Sequence, residues 1–120
     1  MQRLVFFTIA CCLFLPLSQK AFAGNHPMME KGLALLQSAQ HAMSANPMLE
    51  SAAKENITTT LMSAKESIQQ ASGRYRGHRV KAMEYIAEAI ADINGDDKGK
   101  ATTFVMKAIQ EVREGISVAK

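Results

Sequence analysis

The spacing of apolar residues predicts that the chain is helical from about residue 27 almost to its end. Between residues 57 and 71, apolar positions recur at alternating steps of four and three, which places them on one face of an α-helix. Similar spacing continues in two later segments. The predicted apolar faces are Ile57, Leu61, Ala64, Ile68 and Ala71; Val80, Met83, Ala87 and Ile90; and Ala101, Val105, Ala108, Val112 and Ile116. We therefore predict four helices, at about residues 27–44, 47–72, 78–94 and 98–117.

Proline, glycine and acidic residues mark the ends of these helices. Pro27 and Pro47 each follow a polar residue and precede a Glu three positions later, so each is predicted to occupy the first turn of a helix. The glycine-containing segments 72–77 and 94–99 are predicted to be turns. Asp97 is predicted to cap the N-terminus of the fourth helix.

An internal repeat indicates how these helices pack. Residues 81–93, KAMEYIAEAIADI, match residues 100–112, KATTFVMKAIQEV, in register. A short helix with one apolar face is unstable alone, and the connections here are short. The sequence therefore predicts one all-α domain over residues 24–120, an up-down-up-down four-helix bundle whose small-residue seams would also allow a homodimer. The methionines predicted to fill its core are Met29, Met62, Met83 and Met106.

Residues 1–23 have the features of a cleaved secretory signal peptide. Arg3 is followed by the apolar run 4–17 and by a small-x-small cleavage sequence at 21–23. The run is shorter than the ~20 residues of a membrane-spanning helix. We therefore expect a periplasmic or secreted protein with no transmembrane segment in the mature chain; an uncleaved N-terminal anchor is the alternative.

Cleavage would change the composition of the protein. Both cysteines, Cys11 and Cys12, lie in the signal peptide, so the mature chain could form neither a disulfide nor a thiolate metal site. The full chain has 14 Lys and Arg against 11 Asp and Glu, and without Arg3 and Lys20 the counts are 12 and 11. This near-neutral balance, together with export, argues against nucleic acid as a partner.

The segment GHRVKAMEYIAEAIADI, residues 77–93, resembles a group of small exported bacterial helical proteins of unknown function. More distantly, the layout is similar to small metal-binding periplasmic proteins, which are four-helix bundles that bind copper and other divalent metals through many histidines. The chain departs from them in having only three histidines, His26, His41 and His78. The resemblance implies a four-helix bundle and metal binding at those three positions.

The new N-terminus is the first candidate metal site. If cleavage follows Ala23, the mature chain begins Gly24-Asn25-His26. The terminal amine, two amide nitrogens and the His26 imidazole would then supply four nitrogen donors in one plane, a geometry that suits Cu(II) or Ni(II). The alternative is that His26 only precedes Pro27 at the start of a helix.

His41 and Met43 form a second candidate metal site, because imidazole and thioether together suit Cu(I). The two residues lie near the end of the first predicted helix, and Met48 follows across the turn. The alternative is that Met43 belongs to the core.

A cluster of positive charge surrounds the turn between the second and third helices. It consists of Arg74, Arg76, His78, Arg79 and Lys81 and could bind an anion or an acidic protein partner. The alternative is a solvated turn whose arginines cap the C-terminus of the second helix.

No sequence pattern indicates catalysis. The chain has no nucleophile elbow, glycine-rich phosphate loop or Glu-x-x-His pair. The sequence therefore predicts a small exported, non-enzymatic binding protein for copper or another divalent metal. The alternative function is a chaperone-like or envelope-associated interaction module with an unknown protein partner.

Overall fold

A computed structural model describes residues 26–72 and 75–119 of the chain. These residues form α1 (Pro27–Ala45), α2 (Ser51–Gln70), α3 (His78–Asn94) and α4 (Lys98–Val118). The all-α four-helix prediction is confirmed. The predicted signal peptide, Gly24, Asn25 and Arg74 lie outside the described residues. Within the described ranges, no helix is both long and apolar enough to cross a bilayer.

The helices pack as two hairpins, α1 with α2 and α3 with α4, which are joined side by side. The contacts within each hairpin are more extensive than those between α1 and α4 or between α2 and α3. Each helix thus has its sequence neighbours beside it, and α1 closes the ring against α4. This is the up-down-up-down arrangement that short connections favour.

Among the described residues, small and β-branched side chains dominate the core. The predicted α2 face is buried, as are Ala101, Val105, Ala108 and Val112 of α4. α1 contributes larger side chains, of which Met29 and Leu36 are wholly inaccessible. The buried apolar residues of ranges 26–72 and 75–119 are Met29, Leu36, Ala39, Met43, Ile57, Leu61, Ala64, Ile68, Ala71, Tyr75, Ala82, Ile86, Ala89, Ile93, Ala101, Val105, Ala108, Ile109 and Val112.

The predicted core face of α3 is wrong, because it is rotated about the helix axis by one residue position from the face that is buried. The buried positions are Ala82, Ile86, Ala89 and Ile93, the repeat equivalents of the four buried α4 positions named above. The predicted stripe lies further toward α2, where Val80 is exposed and Ile90 is half-buried. Because α3 carries two adjacent apolar stripes, spacing alone does not identify the one that faces the centre of the bundle.

The predicted start of α2 at Pro47 is also wrong, since the helix begins at Ser51. Asn46 is extended, which the following proline favours. Its side-chain amide donates to the Ala42 carbonyl oxygen at 2.7 Å, so Asn46 caps the end of α1 instead of the start of α2. Residues 46–50 consequently form a connection, and Glu50 precedes the first helical turn.

Other local predictions have mixed outcomes. Asp97 caps α4 as predicted, because its Oδ1 accepts a hydrogen bond from the Lys100 backbone N–H at 3.1 Å. Met29 is a core residue as predicted. Met62 and Met106, however, are 58% and 54% exposed, so the prediction that they fill the core is wrong. Both lie beside the less extensive contacts between the two hairpins, at the α2–α3 and α1–α4 grooves.

Candidate metal centre

The register of the α3–α4 hairpin positions the candidate site. Tyr85 and Phe104, equivalent residues of the repeat, stack with their ring centroids 6.0 Å apart, and the Lys107 ammonium group lies over both rings. His78 lies seven residues before Tyr85, and Glu111 lies seven residues after Phe104. Since seven residues make about two helical turns and the helices are antiparallel, this register also brings His78 to Glu111.

The turn before α3 directs His78 toward α4. Gly77 precedes the helix with φ 81°, a conformation that glycine adopts without steric cost, and Arg76 is also left-handed at φ 52°. The His78 backbone N–H donates to the Tyr75 carbonyl oxygen at 2.9 Å, which closes the turn. His78 is therefore the first residue of α3, and its side chain leaves the end of the helix toward the neighbouring α4.

Three metal-ligating side chains meet at this end of the bundle. His78 Nδ1 lies 2.7 Å from Glu111 Oε1 and 3.7 Å from Glu114 Oε1. One potential ligand atom from each of the three residues lies within 4.8 Å of the other two. The side chains of His78 and Glu111 are 22% and 16% exposed, and that of Glu114 is 47% exposed. The group is thus partly shielded on the α3 side and open to solvent beyond Glu114.

The spacing of these atoms is close to that of a metal site. Nitrogen and oxygen ligands about 2.1 Å from a tetrahedral ion lie roughly 3.4 Å from one another. The distance from His78 Nδ1 to Glu114 Oε1 is near that value, and the hydrogen-bonded distance to Glu111 is shorter. Small side-chain rotations would let the three atoms surround an ion, which would replace the proton that His78 and Glu111 share.

The same contacts also have a structural explanation. When His78 is protonated, it forms an ion pair with Glu111 that joins the start of α3 to the last turns of α4. Glu114 is held on its other oxygen, because Gln110 Nε2 donates to Oε2 at 3.2 Å. A partly exposed ion pair of this kind contributes about 0–1 kcal/mol to folding. The arrangement can therefore serve as a modest helix–helix contact or, with the proton displaced, as three ligands.

Gly115 lets the surrounding segments approach α4 closely. A Cβ atom built at Gly115 would lie 3.1 Å from His78 Cβ, 3.3 Å from Met29 Cε and 3.6 Å from Tyr75 Cβ. A side chain at this position would therefore separate the first turn of α1 and the turn before α3 from α4. The absence of a side chain is thus one reason why the three ligating groups are close together.

Tyr75 connects this end of the bundle to His26. Tyr75 as a whole residue is 4% exposed, and its hydroxyl lies 3.1 Å from His26 Nδ1 and 3.3 Å from the Ser72 carbonyl oxygen. The two rings meet edge to face with their centroids 5.6 Å apart. Burial raises the pKa of Tyr75 above its ordinary value, and the positive charge of Arg79 offsets only part of that shift. The hydroxyl is therefore protonated and able to donate at neutral pH.

The structure does not bring His41 and Met43 together. Met43 is buried in the core, whereas His41 is exposed on the opposite side of α1. Met48, the third residue of that predicted group, is 78% exposed in the connection. The burial of Met43 agrees with the alternative interpretation, in which this methionine belongs to the core.

The predicted basic cluster is divided among different contacts. Arg79 Nη1 donates to the Gln69 carbonyl oxygen at 2.9 Å, so this arginine caps the C-terminal end of α2. His78 is directed toward Glu111, whereas Arg76 and Lys81 are exposed. The alternative interpretation, a turn with a capping arginine, agrees with the position of Arg79.

Sequence reasoning did not identify Glu111 and Glu114 as partners of His78. A signal was present in the repeat, because aligning its aromatic positions across an antiparallel hairpin also aligns His78 with Glu111. That inference needs the hairpin register, which the repeat alone does not provide. The contact between Tyr75 and His26 joins residues 49 positions apart and has no comparable signal.

Comparisons of the chain with protein-family models, with curated proteins and with solved structures found no match. The resemblance to small exported helical proteins therefore stays a prediction from the sequence.

Proposed function

We propose that this protein is a small exported, non-enzymatic binding protein for a divalent metal ion, and that His78, Glu111 and Glu114 are its ligands. The observation that carries the proposal is the convergence of these three side chains from two helices, with their ligand atoms within 4.8 Å of one another. Metal binding is also what the distant resemblance to periplasmic metal-binding bundles implies. Export is part of the proposal and follows from the features of residues 1–23.

The donor set favours Zn(II) or Cu(II). One imidazole nitrogen and two carboxylate oxygens suit borderline ions, whereas Mg(II) and Ca(II) prefer six or more oxygens. Cu(I) prefers thioether sulfur, and Met29 near this site is fully buried. Three protein ligands leave one coordination position for water or for a ligand from a partner.

The test is a Zn(II) titration of the mature protein by calorimetry. Zn(II) is used first because the predicted N-terminal chelate is a site for Cu(II) or Ni(II). The variants His78→Gln, Glu111→Gln and Glu114→Gln should each weaken binding at least tenfold, since each removes one of three ligands. The control variants His41→Gln and Glu88→Gln change exposed residues of the same types and should bind as wild type does.

Two results would contradict the proposal. One is a wild-type protein that binds no Zn(II) or Cu(II) beyond the N-terminal chelate. The other is binding that His41→Gln weakens as much as His78→Gln does. N-terminal sequencing of the protein recovered from a periplasmic extract tests export and the cleavage position in the same preparation.

The second candidate function, an interaction module, is favoured by the exposed apolar groove between α2 and α3. Met62 and Val80, 58% and 50% exposed, lie beside Met83 and Ile90 there, and Lys65 lies at its edge. Sedimentation analysis of wild type and Met62→Glu tests the simplest form, a homodimer through this groove. A monomer at all accessible concentrations would exclude that form.

A further inference from the structure

Glu114 is the least constrained of the three proposed metal ligands. His78 Nδ1 and Glu111 Oε1 are in direct contact at 2.7 Å, whereas Glu114 Oε1 lies 3.7 Å from His78 Nδ1, which is too far for a hydrogen bond. Among the described residues, no lysine or arginine forms an ion pair with Glu114. A long, half-exposed side chain of this kind loses conformational freedom when it binds an ion, unless another contact already holds it.

Gln110 provides that contact. Its side-chain amide donates a hydrogen bond from Nε2 to Glu114 Oε2 at 3.2 Å. The two residues are four positions apart, so their side chains are neighbours on the surface of α4, one turn apart. Ile109, the residue before Gln110, is 5% exposed and fixes the rotation of α4 at this level. The amide therefore reaches Glu114 without any change in the position of the helix.

The two oxygens of Glu114 consequently have different surroundings. Oε2 accepts the hydrogen bond from Gln110, and Oε1 faces His78. An ion bound through Oε1 alone has a monodentate carboxylate ligand, which suits four-coordinate Zn(II), whereas Ca(II) often takes both oxygens of a carboxylate. The donor is also an uncharged amide, so it restrains the carboxylate without placing a competing positive charge beside the ion.

This donor and acceptor pair is specific to α4. In the internal repeat Gln110 aligns with Ala91 of α3, and one turn further on Glu114 aligns with Gly95. The copy of the helix unit in α3 therefore has neither the amide nor the carboxylate. The pair occurs only in the copy whose last turns lie beside His78.

We infer that Gln110 is a positioning residue of the metal site and that it holds Glu114 Oε2 so that Oε1 faces the ion. This role rests on the proposed function, because it concerns the ion that His78, Glu111 and Glu114 would bind. Gln110 itself is not a ligand. Hydrogen bonds to ligating side chains raise metal affinity because they reduce the number of arrangements that the ligand gives up on binding.

The experiment extends the Zn(II) titration to a double-mutant cycle. Gln110→Ala removes the donor, and Gln110→Met removes it while keeping the length of the side chain; alanine and methionine both favour helix, so α4 should keep its structure. Each change is made in wild type and in Glu114→Ala. Gln40→Ala is the matched control, because Gln40 lies beside Gln110 in the α1–α4 groove.

Both Gln110 variants should bind Zn(II) roughly three- to tenfold more weakly than wild type, a smaller effect than at buried sites because this hydrogen bond is exposed. In the Glu114→Ala background the same changes should have no further effect, since no carboxylate is left to position. A loss of protein stability alone would instead weaken binding equally in both backgrounds. Gln40→Ala should bind as wild type does.

The outcomes separate this role from the metal site itself. Wild-type affinity in both Gln110 variants would overturn the role of Gln110 and leave the three-ligand site intact. An equal loss with and without Glu114 would also overturn it, because Gln110 would then act through something else. A wild-type protein that binds no Zn(II) contradicts the proposed function, and the role of Gln110 falls with it.

A second measurement uses the wild-type protein only. Zn(II) is diamagnetic, so proton NMR can follow the Gln110 side-chain amide in the metal-free and metal-bound forms. The nuclear Overhauser effect between the Gln110 amide protons and the Glu114 γ-protons should persist when Zn(II) binds. Its disappearance on binding would show that the hydrogen bond breaks in the bound state, and it would overturn the positioning role.

Discussion

Gly32 offers the sharpest test of the packing between α1 and α2. It is buried in the second turn of α1, where a Cβ atom would lie 2.5 Å from Ile68 Cγ1, 3.0 Å from Ile68 Cδ1 and 3.3 Å from the Ala64 carbonyl oxygen. Carbon atoms in favourable contact are about 3.5–4.0 Å apart. Gly32→Ala would therefore force the two helices apart by an appreciable fraction of an ångström.

The expected magnitude is the difference between two opposing effects. Alanine in place of glycine inside a helix contributes about 1 kcal/mol of stability. Overpacking a core costs about 1–3 kcal/mol, and the upper part of that range applies because Ile68 is fully buried and β-branched, which leaves it few rotamers. We therefore expect Gly32→Ala to lower the free energy of unfolding by about 1–2 kcal/mol.

The assay is urea unfolding followed by circular dichroism, with two matched comparisons. Gly99→Ala is the control, because a Cβ atom there would meet only Asp97 Oδ1 at 3.8 Å, and it should stabilise by about 0.5–1 kcal/mol. Ile68→Ala should cost about 2–5 kcal/mol and open the space that Gly32→Ala fills. In that background Gly32→Ala should be neutral or stabilising, so the double-mutant cycle should give a favourable coupling.

The reasoning is refuted if Gly32→Ala by itself stabilises the protein as much as Gly99→Ala does. It is also refuted if Gly32→Ala costs the same with and without Ile68→Ala, because the cost would then come from something other than this contact.

Two further predictions concern a helix cap and a buried phenol. Asp97→Ala should lower the free energy of unfolding by about 1 kcal/mol in the same urea assay, because the N-terminus of α4 loses its side-chain acceptor. Asp97→Asn is the control, because asparagine keeps a side-chain oxygen that can cap the helix, and an equal loss of stability in both variants would contradict the capping role. The pKa of Tyr75 is raised in the folded state, so its contribution to stability is complete below the unfolded-state pKa of about 10 and is lost as the pH rises through the folded-state pKa. The stability difference between wild type and Tyr75→Phe should therefore shrink as the pH rises above about 10, whereas a difference that stays constant there would show that burial does not shift this group.

The sequence predicts individual helices well where one signal acts alone. α3 has the predicted bounds 78–94, and α4 begins at Lys98 after its predicted cap. The prediction that α2 begins at Pro47 was wrong, because the preceding residue, Asn46, has two competing local preferences. Asn46 could cap the start of one helix or the end of another, and it donates to the Ala42 carbonyl oxygen of α1. The residue types alone do not show which of these two caps has the lower free energy.

The features that can be predicted from residue order are those that depend on neighbours along the chain. Helical periodicity, the turn at 94–99 and the Asp97 cap arise from interactions within a few residues, so they can be read from spacing and residue type. The repeat adds the expectation of stacked, similar helices. Together these features suffice for the all-α fold class and the number of helices.

The packing of the four helices determines which of two apolar stripes of α3 faces the core and which side chains meet at the candidate site. His78 and Glu111 are 33 residues apart, and His26 and Tyr75 are 49 apart. Their encounter depends on the rotation of each helix about its axis and on the sliding of one helix along another. Those two degrees of freedom are fixed by the packing of the whole core, including the close approach at Gly115, and no local pattern encodes them.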